Sequence, residues 1–196
     1  MLDYERQVWE QGYKQIAGVD EVGRGCLFGD VVAAAVILPA GLILEDIDDS
    51  KKLSAKKREQ LYEIITEQAL AWSVAAIAAD EIDRINIKQA SRLAMKLSVE
   101  QLEVAADYLL IDAEKIDSKL PQLAIIHGDA SSQSIAAASI IAKVTRDRLC
   151  AEKWDSMYLS MESQYIKLCH QASSGTNSGI WPEPDASSFV FDQAVV

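Results

Sequence analysis

The sequence predicts an α/β fold in which helices flank a mixed or mainly parallel central sheet. Apolar runs rich in β-branched residues alternate with segments of helical periodicity, the pattern of a sheet covered by helices. Hydrophobic residues make up 49% of the 196 residues and charged residues 25%, the balance of a globular chain with a substantial core. No apolar run is long enough to cross a bilayer, so we expect no membrane association.

Each predicted element rests on a local pattern. Five apolar segments are predicted to be strands, and they cover 15–20, 31–38, 71–79, 107–112 and 123–129. Pro39 and Gly41 end the second of these strands. Three segments with helical periodicity are predicted to be helices, and they cover 53–70, 80–104 and 134–154. Ser54 is the predicted N-cap of the first helix, and the alanine-rich sequence of the third favours a strong helix.

Acidic residues end three of the predicted strands. Asp20, Asp112 and Asp129 each close an apolar run, and Glu21 follows the first of them directly. Because sites collect at strand ends in open α/β sheets, we expect these carboxylates to converge. A carboxylate cluster persists only where cations, protons or water offset the repulsion, and all-oxygen ligation suits Mg²⁺ or Mn²⁺. The alternative is that these acids only end strands, as Asp often does in turns.

The charge balance argues in two directions about nucleic-acid binding. The net charge of −11 has the wrong sign for a typical nucleic-acid-binding domain. The segment SKKLSAKKR, residues 50–58, nevertheless concentrates five of the nineteen basic residues. Taken alone, this run is most simply the solvated start of a helix.

Cysteine usage and the N-terminal segment bear on the compartment. Three cysteines and two histidines are scattered along the chain without the spacing of a metal site. Such a sparse, odd set of cysteines suits a reducing compartment, so we expect a cytoplasmic protein. The polar segment 1–12 lacks the apolar core of a signal peptide, which supports the same expectation.

Four motifs together resemble one known family. GVDEVGRG, DDSKKLS, YLLIDA and HGDASSQSIAAASIIAKVTRD occur in that order, within roughly residues 13–158. They resemble bacterial ribonuclease HII, the type 2 ribonuclease H. The related ribonuclease HIII carries an added N-terminal domain, for which we expect no room here, and typically lacks the arginine that stands here as Arg24.

The resemblance implies a fold and an activity. It implies an RNase H-like fold and an endonuclease that cuts the phosphodiester bond 5′ of ribonucleotides, leaving 5′-phosphomonoesters. The implied substrates are RNA–DNA hybrids and duplex DNA with embedded ribonucleotides, in ribonucleotide removal and RNA primer degradation. We expect the enzyme to act as a monomer.

The implied catalytic residues coincide with the acids found at the strand ends. The four catalytic and metal-binding carboxylates of the family fall on Asp20, Glu21, Asp112 and Asp129. Two divalent ions, Mg²⁺ or Mn²⁺, would activate water and hold the leaving oxygen in line. Adjacent strand residues point to opposite faces, so Asp20 and Glu21 reach one site only where the strand ends or bends.

The glycine–arginine–glycine motif that follows has an implied role in substrate binding. The resemblance implies that Gly23, Arg24 and Gly25 recognise the ribose 2′-hydroxyl at the RNA–DNA junction, largely through backbone groups. Glycine permits close approach and unusual backbone angles, and the 2′-hydroxyl distinguishes RNA from DNA. Gly29 stands one residue too late for a dinucleotide-binding G-x-G-x-x-G loop, so that alternative is weak.

The resemblance also changes the interpretation of the basic run. In the family the DSKKLS segment lies beside the nucleic-acid strand, which makes Ser50, Lys51 and Lys52 candidate phosphate contacts. The basic residues at 56–58 are still interpreted as part of the solvated start of a helix.

Three other polar residues near these motifs leave alternatives open. Asp147 is either a fifth acid near the metals or, as we favour, an ion-pair partner of a basic neighbour. His127 is either a proton shuttle or, as we favour, a neutral strand residue. Ser139, like Ser131, is interpreted as a helix cap or a small packing residue.

The resemblance breaks off near residue 158. We therefore predict an RNase H-like catalytic domain over 1–158 and a poorly ordered tail over 159–196, rich in Ser, Gly and Pro. The tail lacks, at the expected place, the tyrosine that in the family stacks under the junction sugar. Reading each codon one base later permits the family's usual ending, so we hypothesise a frameshifted C-terminus. The alternative function is then an inactive remnant that binds hybrid duplexes without cleaving them.

Overall fold

The structure is a computed structural model that describes residues 1–26, 29–47, 50 and 52–173. The side chains of residue 155 and of residues 157–173 are outside this description. The chain divides into one compact unit, Met1–Glu152, and a second unit, Lys153–Val196. All the predicted site residues belong to the first unit.

A five-stranded mixed sheet forms the centre of the first unit in the described part of the chain. Its strands are β1 (Ile16–Val22), β2 (Val31–Ile37), β3 (Ala71–Ile77), β4 (Tyr108–Asp112) and β5 (Gln122–Ile125). They lie in the order β3-β2-β1-β4-β5. The pairs β1–β2 and β2–β3 are antiparallel, whereas β1–β4 and β4–β5 are parallel. The prediction of a mixed sheet is confirmed, and each predicted strand segment overlaps an observed strand.

Helices flank this sheet, as predicted. In the described ranges they are α1 (Asp3–Glu10), α2 (Ala55–Gln68), α3 (Ala79–Ile85), α4 (Ile87–Glu100), α5 (Gly128–Ser131) and α6 (Gln133–Ser173). Ser54 caps α2 as expected, because its hydroxyl accepts from the Lys57 N–H at 3.3 Å. The sequence did not predict α1. Within these ranges, no helix has the length and apolar character that spanning a bilayer requires.

The predicted helix over 80–104 is two helices. Asn86 adopts a φ of 70°, which interrupts the helical backbone between α3 and α4. Its side chain then accepts from the N–H groups of Lys88 and Gln89 at 3.1 and 3.2 Å, which caps α4. Hydrophobic periodicity continues across this break, so the sequence pattern alone concealed it.

Both faces of the sheet are buried against helices. One face packs against α2 and α6, with Ile65 and Ile140 fully buried there. The other face packs against α4 through Ala94 and Met95. A Cβ added at Gly18 would lie 2.1 Å from the Ser134 carbonyl carbon, so the start of α6 rests directly on β1. This contact brings α6 against the strand that carries Asp20.

Two of the three predicted strand ends differ in the structure. β4 ends at Asp112 as predicted, but β1 continues past Asp20 to Val22. β5 ends at Ile125, so Asp129 lies on the short helix α5 rather than at a strand end. The cause is His127, which adopts a left-handed φ of 55° and starts a helical turn. His127 is exposed in this turn and precedes α5, so the prediction that it is a strand residue was wrong.

The predicted tail begins inside a helix. α6 continues to Ser173, fifteen residues past the predicted boundary at 158. The remainder of the predicted tail, 174–196, lies outside the described residues. The domain boundary, the poor order of the tail and the frameshift therefore stay predictions.

Candidate active site

Two aspartates meet because β1 and β4 are parallel neighbours. Val19 pairs with Ile111, and Asp20 and Asp112 are the next residues on their strands. Asp20 is 5% exposed, and burial is the main cause that raises its pKa well above the usual range. The charges of Glu21 and Asp112 raise this pKa further. The structure therefore brings Asp20, Glu21 and Asp112 into one electrostatically coupled group.

Hydrogen bonds hold Asp20 in place and oppose the rise of its pKa. Its Oδ1 accepts from the Glu21 N–H at 2.7 Å. The Ser139 hydroxyl also hydrogen-bonds this carboxylate and lowers its pKa. Ser139 Oγ lies 2.9 Å from Ser50 Oγ, and both residues are buried. Ser139 is thus more than the packing residue that the sequence suggested, because it links Asp20 to the segment DSKKLS.

Glu21 is held by an arginine on one side only. Its Oε1 accepts from Arg24 Nη1 at 3.0 Å. Its Oε2 is buried without a hydrogen-bond partner among the described residues. Burial is the main cause that raises the pKa of Glu21, and the hydrogen bond from Arg24 opposes this rise. A buried carboxylate oxygen without a donor is an atom that a cation can satisfy.

Asp129 lies next to the group through its backbone. Asp112 Oδ1 accepts from the Gly128 N–H at 2.7 Å, which ties the start of α5 to the end of β4. A Cβ at Gly128 would lie 2.6 Å from Ile135 Cδ1, so the close approach favours glycine. Asp129 itself is buried, at 6% exposure. The hydrogen bond between Gly128 and Asp112 therefore places the backbone of Asp129 beside the end of β4.

The donor chemistry of this group fits a hard divalent cation. Four carboxylates offer only oxygen ligands, which Mg²⁺ and Mn²⁺ prefer. Burial, together with the charges of Glu21 and Asp112, raises the pKa of Asp20, and Glu21 Oε2 has no donor among the described residues, so a nearby cation would stabilise both carboxylates. In the described residues, however, no three His, Cys, Asp or Glu side chains form a set with metal-site geometry. The fit therefore rests on the donor set and not on a formed coordination sphere.

The motif at 23–25 follows the end of β1, and the backbone conformation at its first residue, Gly23, requires glycine. Gly23 has a φ of 113°, and a Cβ there would lie 2.8 Å from the Asp30 carbonyl oxygen and 2.9 Å from Arg146 Nε. Gly25 lies in open space, with no atom within 4 Å of an added Cβ. An exposed backbone at Gly25 suits close approach of another molecule.

The Arg24 side chain turns towards acids. Its guanidinium contacts Glu21 and, at 3.6 Å, Glu114 Oε1. Arg92 donates to the other oxygen of Glu114 from Nε at 3.1 Å and from Nη2 at 2.8 Å. The hydrogen bond from Arg92 is the main cause that lowers the pKa of Glu114. Sequence reasoning missed Glu114 and Arg92, because the pairing joins α4 to the residues after β4.

The basic segment is divided between buried and exposed residues. Ser50 is 3% exposed and bonded to Ser139, whereas Lys52 is exposed. Lys51 lies outside the described residues. Arg58 is not part of a solvated helix face, because its Nη1 donates to the carbonyl oxygens of Ser50 and Leu53.

Asp147 is paired with basic side chains. Its Oδ1 accepts from Lys143 Nζ at 2.6 Å, and its Oδ2 lies 4.0 Å from Arg58 Nη2. The prediction of an ion-pair partner is therefore confirmed.

Comparison with known proteins identifies the family. Residues 17–164 match the family described as Ribonuclease HII. A ribonuclease HII of Alkaliphilus metalliredigens is 60% identical over 163 residues, which are 80% of this chain and 79% of that protein. A second, of Alkaliphilus oremlandii, is 56% identical over 160 residues, 79% of this chain and 78% of that protein.

Solved structures agree on the fold. The ribonuclease H2 from Pyrococcus horikoshii superposes with a TM-score of 0.65 and 26% identity, covering 74% of this chain and 77% of that one. The Bst ribonuclease HIII solved in complex with Mn²⁺ has a TM-score of 0.52 and 20% identity, covering 69% and 53%, which shows the fold alone. The predicted RNase H-like fold is confirmed. The family match and the identity to these relatives show that this chain, with its carboxylate group on β1 and β4, belongs to the ribonuclease HII family of ribonuclease H enzymes.

Proposed function

We propose that this chain is a metal-dependent endonuclease that hydrolyses the phosphodiester bond 5′ of ribonucleotides. Its substrates would be RNA–DNA hybrids and duplex DNA with embedded ribonucleotides, as in ribonucleotide removal and RNA primer degradation. The observation that carries the proposal is the group formed by the buried Asp20 with Glu21 and the half-buried Asp112, whose charges raise the pKa of Asp20 in addition to its burial. Repulsion between buried carboxylates lowers the stability of a folded protein, so such a group points to binding of a cation or a substrate.

The carboxylates have distinct places in the proposed reaction. Asp20 and Asp112 would be the metal ligands closest to the reacting phosphate, with Glu21 and Asp129 completing the ligand set or orienting water. Divalent ions would lower the pKa of water and stabilise the charge on the leaving 3′-oxygen. The water oxygen forms the new bond to phosphorus, the bond from phosphorus to the 3′-oxygen breaks, and that oxygen takes a proton. The products are a 3′-hydroxyl and a 5′-phosphate.

Substrate selection would depend on the residues that follow β1. Gly23 and Gly25 would present backbone groups to the ribose 2′-hydroxyl, the group that distinguishes RNA from DNA at a sugar. The open space beside Gly25 and the forced conformation at Gly23 support this assignment. Arg24 would add a positive charge next to the scissile phosphate. Lys51 and Lys52 would contact the backbone of the same duplex, whereas Ser50 is buried against Ser139 and would support this segment from inside the protein.

Cleavage of three duplexes tests the proposal. The purified chain is incubated with an RNA–DNA hybrid, DNA holding one ribonucleotide and all-DNA, in Mg²⁺, Mn²⁺ or EDTA. We expect incision 5′ of the ribonucleotide in either metal, none in EDTA and none of all-DNA. Asp20→Asn should abolish incision, whereas Asp117→Asn, at a 95% exposed side chain, should not. Binding without incision by the folded chain would favour the inactive remnant.

Two further expectations stay predictions. The cytoplasmic location and the monomeric state follow from the sequence and the family resemblance, and size-exclusion chromatography with light scattering would measure the second.

A further inference from the structure

Glu5 is an acidic side chain inside the protein, on the helix that precedes the sheet. It lies on α1 and is 1% exposed. Its Oε1 accepts from the Ser132 hydroxyl at 2.6 Å and from the Ser134 N–H at 2.9 Å, whereas its Oε2 has no hydrogen-bond partner among the described residues. Burial of an acid with one unsatisfied oxygen costs free energy that an apolar side chain would avoid. These contacts therefore indicate a role beyond packing.

Three hydrogen bonds in succession connect Glu5 to Asp112. In the first, the Ser132 hydroxyl donates to Glu5. In the second, the Ser132 N–H donates to the Gly128 carbonyl oxygen at 2.8 Å. In the third, the Gly128 N–H donates to Asp112 Oδ1 at 2.7 Å. The connection thus runs from α1 through the short helix α5 to the carboxylate at the end of β4.

The junction between α5 and α6 supports this connection. Ser132 caps α6, because its hydroxyl accepts from the Ile135 N–H at 3.3 Å. Ile135 is fully buried, and its Cδ1 would lie 2.6 Å from a Cβ on Gly128, so its side chain packs closely against α5. The Gln133 N–H donates to the Met1 carbonyl oxygen at 2.8 Å, which is a second tie between α6 and the N-terminal segment. The position of α5 therefore depends on contacts from that segment.

The hydrogen bond at the end of this connection is compatible with cation binding by Asp112. An ionised carboxylate offers about four lone-pair sites, and the Gly128 N–H uses one of those on Oδ1. The residue is half-buried, so its carboxylate is not enclosed by the protein. Carboxylates that bind metals are commonly oriented by such hydrogen bonds, and loss of the supporting partner weakens metal affinity by about 10–100-fold.

We propose that Glu5 is a positioning residue that orients the Asp112 carboxylate through α5 and so raises the affinity of the site for a divalent cation. This inference rests on the proposed function, which makes Asp112 a metal ligand. Glu5 acts through backbone groups of α5, because its own hydrogen bonds go to Ser132 and Ser134. Without this support the Gly128 N–H is less firmly placed, and the carboxylate is held less often in the orientation that a cation requires.

Manganese binding in the absence of substrate measures this effect. The full chain is freed of metal with EDTA, dialysed and titrated with Mn²⁺, and the free ion is followed by electron paramagnetic resonance. We expect Glu5→Leu to bind Mn²⁺ about tenfold more weakly, and Ser132→Ala to lose affinity as well. Glu5→Gln keeps an oxygen that accepts from both donors, so it should retain most of the affinity.

A matched control separates positioning from loss of stability. Asn86→Ala also removes a side-chain cap from the start of a helix, but that cap holds α4 through Lys88 and Gln89. We expect this variant to bind Mn²⁺ like the unchanged protein. Circular dichroism at the assay temperature checks that each variant is folded. Should Glu5→Leu unfold, Ser132→Ala carries the test, because it breaks the same connection.

A double variant tests whether the two residues act along one connection. If they do, Glu5→Leu/Ser132→Ala binds Mn²⁺ no more weakly than the weaker of the two single variants. If the two losses add, Glu5 and Ser132 act independently, and the proposed connection is wrong.

The outcomes distinguish this inference from the proposed function. If Asp112→Asn weakens Mn²⁺ binding but Glu5→Leu and Ser132→Ala do not, the positioning role is wrong and the metal ligand stands. If Asn86→Ala weakens binding as much as Glu5→Leu, general loss of stability explains the effect and the inference is overturned. If Asp112→Asn leaves Mn²⁺ binding unchanged, the proposed ligand is wrong, and the positioning role fails with it.

Discussion

Replacement of Gly18 by alanine tests how closely α6 must rest on the sheet. A Cβ at this position would lie 2.1 Å from the carbonyl carbon of Ser134, 2.2 Å from its oxygen and 2.5 Å from Ile135 N. An ordinary contact begins at 3.4 Å, so the strand and the helix would have to separate by about 1.3 Å. The atoms in the way are backbone, and no change of side-chain rotamer relieves the clash.

The expected cost follows from this geometry. Overpacking of a well-packed interior costs about 1–3 kcal/mol, and a clash with helix backbone belongs at or above the upper end. We therefore expect Gly18→Ala to lower the free energy of unfolding by about 3 kcal/mol or more. For a chain of this size, that corresponds to a melting temperature lower by roughly 6–12 °C. The same displacement would move Ser139 relative to Asp20, so cleavage should fall as well.

Urea and thermal unfolding followed by circular dichroism measure the effect. Gly25→Ala is the matched control, since an added Cβ there meets no atom within 4 Å. We expect that control to stay within about 0.5 kcal/mol of the unchanged protein. If Gly18→Ala and Gly25→Ala unfolded at the same urea concentration, the close contact between β1 and α6 would be refuted.

Three further predictions follow from individual contacts. Asp20→Asn should abolish cleavage yet raise the melting temperature in EDTA, because it removes a carboxylate whose pKa is raised by burial and by neighbouring charge. Scanning fluorimetry would measure the melting temperature, and a lower value for the variant would contradict the prediction. Glu114→Gln should destabilise the protein near pH 7, and this difference should vanish at low pH. Because the pKa of Glu114 is lowered in the folded state, its ionised carboxylate stabilises the protein above the unfolded-state pKa, and this stability is lost as pH falls through the folded-state pKa. Urea titrations at several pH values measure the difference in unfolding free energy between the two proteins. A difference that persisted at low pH would exclude the ionised carboxylate as its cause. Asn86→Ala should cost about 1–2 kcal/mol, because it removes the N-cap of α4 and strains a φ of 70°. Asn86→Gly should cost less in the same urea titration, because glycine accepts that φ, and equal costs would count against the strain.

The sequence predicted the acids of the site better than it predicted their arrangement. Apolar runs ending in Asp20 and Asp112 were recognisable because strand burial leaves a clear hydrophobic pattern. That β1 and β4 are neighbours was not recognisable, since β2 and β3 intervene in the sequence while pairing on the other side of β1. Asp129 was assigned to a strand end because the left-handed turn at His127 has no hydrophobic signature.

The residues that support the site were the hardest to predict. Ser139 looks like a packing residue in an alanine-rich helix, yet it hydrogen-bonds Asp20 and faces Ser50. Arg58 looks like part of a solvated basic run, yet it donates into the turn before its own helix. The partners of Ser139 are distant in the sequence, and those of Arg58 are mainly backbone carbonyl oxygens. Neither kind of partner can be recognised from the spacing of residues in the sequence.

The first half of α6 connects these supporting contacts into one physical unit. Ser134 rests against Gly18 of β1, Ser139 hydrogen-bonds Asp20, and Asp147 faces Arg58. A helix is stiff along its axis, so the positions of these three contacts depend on each other. A change that shifts the start of α6 therefore disturbs its contacts with Asp20, with Ser50 and with Arg58 together. Loss of Gly18 should then weaken both cleavage and hybrid binding, whereas loss of Lys52 should weaken binding alone.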